Sequence, residues 1–488
     1  MATIATIKIH PAIGIARVGN SPAEFFIGPE TPGDHAPPPG GYKDSRSRIT
    51  RQAARFRLFG YDARGRVVGE ITTADARITW TAHLVNAKAA WKQFDGLNPD
   101  APLRNAQVTN RRRLVIDPGP RSLTGPNQTA RFDTGSFLGV KVPLGEMRTD
   151  RHGRLLVLGG FGRSASPAHA PLTTFANNDG WHDDVSDGPI TATITLKGHR
   201  QPLRAIGAWL ICAPPDFAPS IDNVITLYDT LEQVAVNRLG VRSPAQPSFV
   251  KDIYPLLQRA MSMRWVSAMV MAVNAHTTFA DVVPPPGSPA ARAAIFARLR
   301  DPQLPPDQES ESDMPMIWSD HYEAGHNQPL TRRQYRVLEQ WKDGDFISDW
   351  PGTAAPSDTI TPDGLDRAAL ERCVGAAFYP GIEASWLLRD VYTFSEPFRL
   401  DHAGLRPGDV TKQLAVPWQA DFYDCAQEGD LAWWPGQRPD DVFLPGGGSQ
   451  VKWTRGLVTN AGEMVARWHR LGFVVKRGGD FVETERDE

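Results

Sequence analysis

The hydrophobic period of this chain changes near residue 245, and that change constrains the fold more than any other feature. Before it, short runs of β-branched and aromatic residues alternate with turn formers. Arg55-Phe56-Arg57-Leu58-Phe59-Gly60-Tyr61 and Val67-Val68-Gly69-Glu70-Ile71 flank Asp62-Ala63-Arg64-Gly65, a hairpin with its turn chemistry in place. Arg154-Leu155-Leu156-Val157-Leu158, Thr191-Ala192-Thr193-Ile194-Thr195-Leu196 and Ala208-Trp209-Leu210-Ile211-Cys212 read as further strands. After it, helix signals take over. Ser288-Pro289 supplies a cap and a first-turn proline for a helix expected to run to about Arg300. Thr331-Arg332-Arg333-Gln334 is a capping box, with Tyr335, Leu338 and Trp341 following on one face. Residues 462–471 predict a last amphipathic helix with Met464, Val465, Trp468 and Leu471 inward. The expected class is α+β. A β-rich, sandwich-like, mostly antiparallel lobe would occupy residues 1–245, and a helix- and loop-rich lobe carrying the active site residues 246–488.

Composition narrows the function classes. At 488 residues the chain exceeds one ordinary core, and a formal charge of −2 predicts no broad attraction to nucleic acid or anionic membrane. The most apolar run, residues 265–273, is too short to span a bilayer. The first ten residues lack the basic and apolar regions of a signal peptide. Three cysteines, Cys212, Cys373 and Cys425, with no CxxC, suit a reducing compartment, so a cytoplasmic location is expected.

Borrowed cofactors find no motif. There is no GxGxxG, no GxxxxGK[ST] and no HExxH. Gly446-Gly447-Gly448-Ser449 lacks the lysine of a phosphate loop, and residues 320–326 match no standard metal spacing. The loop over residues 175–189 holds Asn177, Asn178, Asp179, Asp183, Asp184 and Asp187. Its order does not fit an EF-hand, and a rigid structural loop is expected rather than a calcium site. No metal is expected.

One segment carries parts for chemistry of another kind. In Pro417-Trp418-Gln419-Ala420-Asp421-Phe422-Tyr423-Asp424-Cys425 a thiol follows a carboxylate by four residues, and Trp433, Trp434, Trp453 and Trp468 lie close in sequence. A thiol, an acid and nearby indoles are what a cofactor built from the chain itself requires. Taken alone, such a cysteine reads as a small buried hydrophobe and such an aspartate as a cap or turn residue.

Several separated segments together resemble a known family. They are residues 7–21, beginning Ile7-Lys8-Ile9-His10-Pro11, then Arg51-Gln52-Ala53-Ala54-Arg55-Phe56 and Leu84-Val85-Asn86-Ala87-Lys88-Ala89-Ala90-Trp91. The loop over residues 177–189 and Cys373-Val374-Gly375-Ala376-Ala377-Phe378-Tyr379-Pro380-Gly381-Ile382-Glu383 follow, then residues 418–425 and Trp433-Trp434-Pro435-Gly436-Gln437-Arg438-Pro439. In this order they resemble the lysine ε-oxidase and glycine oxidase family of cysteine tryptophylquinone enzymes. The resemblance implies a thioether cross-link from Cys425 to an oxidised tryptophan, with Asp421 as the essential carboxylate. Trp453, flanked by glycine-rich chain, is the tryptophan favoured, with Trp434 and Trp433 as alternatives, while Trp468 is accounted for by its core-facing helical position. Arg455 stands two residues after Trp453, where some relatives keep a histidine, and an arginine there suits a substrate carboxylate. Cys373 is expected near the pocket without being reactive.

The resemblance also implies an activity: oxidative deamination of an amino acid or primary amine through a Schiff base. Asp421 would take the substrate proton, and O2 would regenerate the cofactor, releasing an aldehyde or keto acid, ammonia and hydrogen peroxide. A separate flavoprotein would install the quinone oxygens, and self-association fits the family. Two other readings stay open: an unmatured member acting as a binding protein, and quinone-dependent chemistry on a peptide or biosynthetic intermediate.

Overall fold

The computed structural model describes residues 4–95, 98, 100–268, 270, 286–304, 330–352, 359–375, 380–384, 386–424 and 435–487. The predicted hairpin forms as strands β4 (Arg51–Tyr61) and β5 (Val67–Ile71), with Leu58 opposite Ile71 and Phe59 opposite Glu70. Its turn is held by Asp62, whose Oδ1 accepts the N–H groups of Arg64 and Arg66, each at 2.9 Å. Gly65 takes the left-handed conformation there, at a φ of 75°.

Around β4 the first half builds one large sheet. Its other members are β1 (Thr6–His10), β2 (Ile13–Arg17), β3 (Phe25–Ile27), β6 (Ala76–Ala82), β7 (Arg121–Thr124) and β8 (Thr129–Arg131). A short ribbon of β9 (Ser136–Phe137) and β10 (Val140–Lys141) stands apart. β11 (Glu146–Thr149), β12 (Leu155–Leu158), β13 (Ser186–Leu196), β14 (Leu203–Arg204) and β15 (Ala208–Ala213) complete a sheet of 13 strands. The main order is β7-β6-β13-β15-β2-β4-β12-β11-β8, with β1, β3 and β5 also on β4 and β14 on β13. Pairing is antiparallel except for β15 on β2 and β3 on β4. The end strands β7 and β8 are consecutive in the chain and in contact, so the sheet curls into a nearly closed barrel. Closure shields edges that an open sheet would leave exposed. This is the form the β-rich half takes.

Along β13 the pleat sorts the residues: Ile190, Ala192 and Ile194 face the core while Thr191 and Thr193 face solvent. The core continues into the second half, where Trp341, Trp418, Trp453 and Trp468 belong to the same apolar cluster as Trp80, Ile190, Leu210 and Phe217.

The helices are α1 (Leu227–Arg238), α2 (Tyr254–Ser262), α3 (Pro289–Phe296), α4 (Arg332–Asp343), α5 (Pro362–Glu371), α6 (Trp418–Asp424) and α7 (Ala461–Arg467) among the described residues. The capping box of α4 is as the sequence predicts. Thr331 Oγ1 accepts from the Gln334 N–H at 3.2 Å, and Gln334 Oε1 accepts from the Thr331 N–H at 3.0 Å. Leu338 and Trp341 are buried, whereas Tyr335 is half-buried. Ser288 caps α3, but that helix ends at Phe296, one turn short of the expected Arg300. The N–H groups of Arg298 and Leu299 reach back only three residues, and Pro302 downstream disfavours further helix. The last helix is also shorter than residues 462–471: α7 ends at Arg467 and a 3-10 turn, Trp468–Arg470, follows. Met464, Trp468 and Leu471 are buried, and Val465 is half-buried.

Candidate active site around helix α6

The loop over residues 177–189 sets the geometry of the segment leading into α6. Asn177 Oδ1 accepts from the Phe94 N–H at 2.7 Å and Asp179 Oδ1 from the Asn105 N–H at 2.6 Å. Asn178 Nδ2 donates to the Val416 carbonyl at 3.1 Å, and the Val416 N–H donates to the Ala176 carbonyl at 3.0 Å. Asp187 accepts from Trp209 Nε1 at 2.9 Å and from Thr411 Oγ1 at 2.6 Å. Asp184 Oδ2 accepts the N–H groups of Phe161 and Arg163 at 2.6 and 3.1 Å. The loop is a structural staple, as its Asx-rich composition predicts. Among the described residues no group of three His, Cys, Asp or Glu side chains stands ready to hold a metal.

Asp183 has a different place. Its Oδ2 accepts the Lys88 ammonium at 2.8 Å and the Trp418 N–H at 3.1 Å, while Oδ1 accepts Asn86 Nδ2 at 2.8 Å. Lys88 also donates to the Ala415 carbonyl at 2.9 Å, and Arg104 Nη1 to the Leu414 carbonyl at 3.0 Å. Burial holds Lys88 below the usual lysine range; Asp183 opposes that shift, Arg104 adds to it and Asp421 opposes it more weakly.

Within α6 the helical period puts Trp418, Asp421 and Phe422 on one side. All three are buried. The rings of Trp418 and Phe422 meet edge to face at 4.9 Å, and Trp468 stands on Trp418 at 5.4 Å. Gly162 lies so close to Trp468 that a Cβ there would sit 2.2 Å from Cζ2. Gln419 Nε2 donates to the Gly162 carbonyl at 3.1 Å, and Ser164 Oγ donates to Gln419 Oε1 at 2.6 Å.

The far end of α6 is tied to Trp453. Arg438 donates from Nε to the Phe422 carbonyl at 2.6 Å, and its guanidinium carbon lies 5.3 Å from the centre of the Trp453 ring. Trp453 is wholly buried; its indole N–H donates to the Gly472 carbonyl at 2.9 Å, and Phe217 packs against it at 4.8 Å. A buried acid, Asp421, and an indole fixed by its nitrogen end, Trp453, are thus linked through Arg438 and α6.

Comparison with known proteins gives this region its context. A model of the L-lysine epsilon oxidase N-terminal domain matches residues 10–212, and one of the L-lysine epsilon oxidase C-terminal domain matches residues 319–444. The chain belongs to the L-lysine ε-oxidase family. It is 27% identical to the L-lysine 6-oxidase of Marinomonas mediterranea, over 99% of this chain and 89% of that protein. Crystal structures of the L-Lys ε-oxidase from that organism, one of them the Schiff base intermediate with L-Lys, match at a TM-score of 0.81 and 26% identity. They cover 99% of this chain and 95% of theirs. Family membership implies a protein-derived quinone.

Cys425, Trp433 and Trp434 lie outside the described residues, as do residues 320–326. Cys373 sits in a separate apolar cluster with Trp209, Leu227 and Leu370, where burial pushes its thiol well above the ordinary range. It is joined to the Trp453 region through Arg372, whose carbonyl accepts Gln437 Nε2 at 2.8 Å. The Arg455 guanidinium pairs with the chain's own Glu483 and donates to the Lys452 carbonyl at 3.1 Å. The carboxylate this arginine meets is therefore internal. A cleft of about 730 Å³ beside Trp265, Phe443 and Arg477 includes neither Asp421 nor Trp453 in its lining. Among the described residues no helix is long and apolar enough to cross a membrane.

Sequence reasoning missed Lys88, Arg104 and Arg438. The signal for Lys88 was present: a lysine inside the apolar run Leu84-Val85-Asn86-Ala87-Lys88-Ala89-Ala90-Trp91 is costly to bury without an acid partner.

Proposed function

We propose that this chain is a quinoprotein oxidase of an amino acid or related primary amine, with a cysteine tryptophylquinone made from Cys425 and Trp453. The observation that carries this reading is full-length homology to an oxidase whose structure was captured as a Schiff base with L-Lys. The buried Asp421, on the helix that leads into Cys425, supports it.

The mature quinone supplies an electrophilic carbonyl and an electron sink for amine oxidation. The chain's own residues do the rest. Asp421 takes the proton from the substrate carbon that carries the amine, and its buried position keeps bulk water from competing. The Gly472 carbonyl holds the nitrogen end of Trp453, which fixes the orientation of the six-membered ring. Arg438 bridges that ring to α6, with its guanidinium beside the indole and its Nε on the Phe422 carbonyl. The overall reaction consumes O2 and yields an aldehyde or keto acid, ammonia and hydrogen peroxide. Formation of the cofactor calls on a partner flavoprotein.

A second assignment of the tryptophan is favoured by one contact. Trp468 touches Trp418 on α6 itself, whereas Trp453 reaches that helix through Arg438. Tryptic peptide masses of protein co-produced with a neighbouring flavoprotein separate the two. Two oxygens gained and four hydrogens lost, with Trp453-Thr454-Arg455 joined to the Cys425 peptide, is the expected result. Attachment of Trp468-His469-Arg470 instead moves the quinone, and an unmodified chain beside a competent partner removes the oxidase reading.

A further inference from the structure

We propose that the cleft of about 730 Å³ beside Trp265 binds a small anionic aromatic molecule, a planar ring carrying a phosphate or carboxylate group. The site is separate from the amine chemistry, because neither Asp421 nor Trp453 lines it.

Three distant segments meet there. Arg264 and Trp265 belong to the 3-10 turn, Met263–Trp265, that follows α2. Residues 443–448 form a second wall, and Arg477, Asp480 and Val482 come from a hairpin of Phe473–Arg477 and Asp480–Thr484. Backbone groups tie the three together: Gln450 Nε2 donates to the Arg264 carbonyl at 2.9 Å, and the Glu483 N–H to the Phe443 carbonyl at 2.8 Å. The volume falls in the range of small-molecule sites, about 300–1,000 Å³.

The lining suits both halves of such a ligand. Trp265 is half-buried, with Phe443 edge-on at 5.2 Å and Phe481 at 5.8 Å holding its plane. An indole fixed in this way offers a flat apolar face to a second ring. The Arg264 guanidinium carbon lies 5.0 Å from the centre of the same indole, so cation and stacking surface adjoin. Arg264 and Arg477 are exposed, and neither is ion-paired among the described residues. Asp480, opposite Arg477 in the hairpin, is the acid in the lining. Two arginines against one aspartate leave the cleft with positive charge in excess.

The run Gly446-Gly447-Gly448 completes the wall. It lacks the lysine of a phosphate loop, but here the cations arrive from elsewhere in the chain. The Gly447 N–H closes a turn on the Leu444 carbonyl at 3.2 Å, while those of Gly446 and Gly448 meet no acceptor among the described residues. A Cβ at any of the three would meet no atom within 4 Å, so the protein's own packing does not account for a bare wall. Open backbone donors beside two guanidinium groups are what an oxyanion requires.

Calorimetric titration of the full-length chain with four probes tests this. AMP joins a ring to a phosphate and benzoate a ring to a carboxylate; adenosine supplies a ring alone and inorganic phosphate a charge alone. AMP or benzoate is expected to bind about tenfold or more tightly than adenosine and inorganic phosphate. Tighter binding of AMP assigns the anion as a phosphate, tighter binding of benzoate as a carboxylate, and equal binding as either. Arg264→Gln and Arg477→Gln are each expected to weaken the favoured probe about tenfold, the size of one charge-assisted hydrogen bond, and to leave adenosine unchanged. Trp265→Leu is expected to abolish the advantage over inorganic phosphate. If that variant does not fold, the two exposed arginines decide. Absence of binding, no advantage over adenosine and phosphate, or equal binding in wild type and both arginine variants overturns the proposal. Amine oxidation takes no part in the readout, so failure of the oxidase reading would leave this result standing.

Discussion

Arg17 and Glu383 form an ion pair sealed inside the protein, Nη2 to Oε1 at 2.6 Å, with side chains 3% and 0% exposed. The partners come from two of the segments that carry the family resemblance, 366 residues apart, and both are further satisfied by backbone. Arg17 donates to the Pro214 and Arg372 carbonyls at 3.0 Å each, and Glu383 Oε2 accepts the Val374 N–H at 3.1 Å. Removing one partner strands a buried charge. Glu383→Leu is expected to lower stability by about 3–5 kcal/mol in urea unfolding. Arg17→Met combined with Glu383→Leu is expected to lose less than the sum of the single changes.

Asp184 makes stability depend on pH. Burial pushes its carboxyl up from 3.8 to about 7, with Asp183 beside it adding to the rise. The folded state therefore keeps a proton that the unfolded chain has released, and stability falls as pH rises from the unfolded value toward the folded one. The loss between about pH 4 and about pH 7 is on the order of 4 kcal/mol. Asp184→Asn keeps an acceptor for the Phe161 and Arg163 N–H groups and cannot ionise. Its stability relative to wild type is expected to improve steadily across that window, as read by denaturant melts at fixed pH.

Replacing Asp421 separates binding from chemistry. Asp421→Asn removes the proton acceptor and is expected to reduce peroxide release per quinone by about a hundredfold to ten-thousandfold. Titration with a carbonyl reagent gives the quinone content for the comparison. Equal turnover per quinone in the variant and in wild type would assign the base elsewhere.

The approach of Gly162 to Trp468 leaves no room for a side chain. At φ of 69°, with a Cβ placed 2.2 Å from Trp468 Cζ2, Gly162→Ala must both strain the backbone and displace the indole. A loss of about 2 kcal/mol or more is expected, together with a changed near-ultraviolet circular dichroism from the Trp418–Trp468 pair. An unchanged spectrum and midpoint would show that the loop yields without moving the ring.

Local chemistry was legible wherever one segment decides it. The β4–β5 hairpin follows from Asp62 and Gly65, and the start of α4 from Thr331 and Gln334, because turns and caps are satisfied by residues a few positions away. Helix ends were read less well. α3 stops at Phe296 and α7 at Arg467, since a tightened last turn costs little and depends on what it packs against.

The residues alone were enough for the mixed α+β character, the hairpin and the caps, and for a family resemblance pointing to Asp421. The curling of the first half into one nearly closed sheet was visible only in three dimensions, because closure depends on pairings between strands far apart in the chain. So were the partners of the buried charges: Lys88 with Asp183, Arg17 with Glu383, and Arg455 with Glu483. Periodicity reports which face of an element is apolar. It carries no information about which distant acid will neutralise a lysine or arginine that the fold has taken out of water.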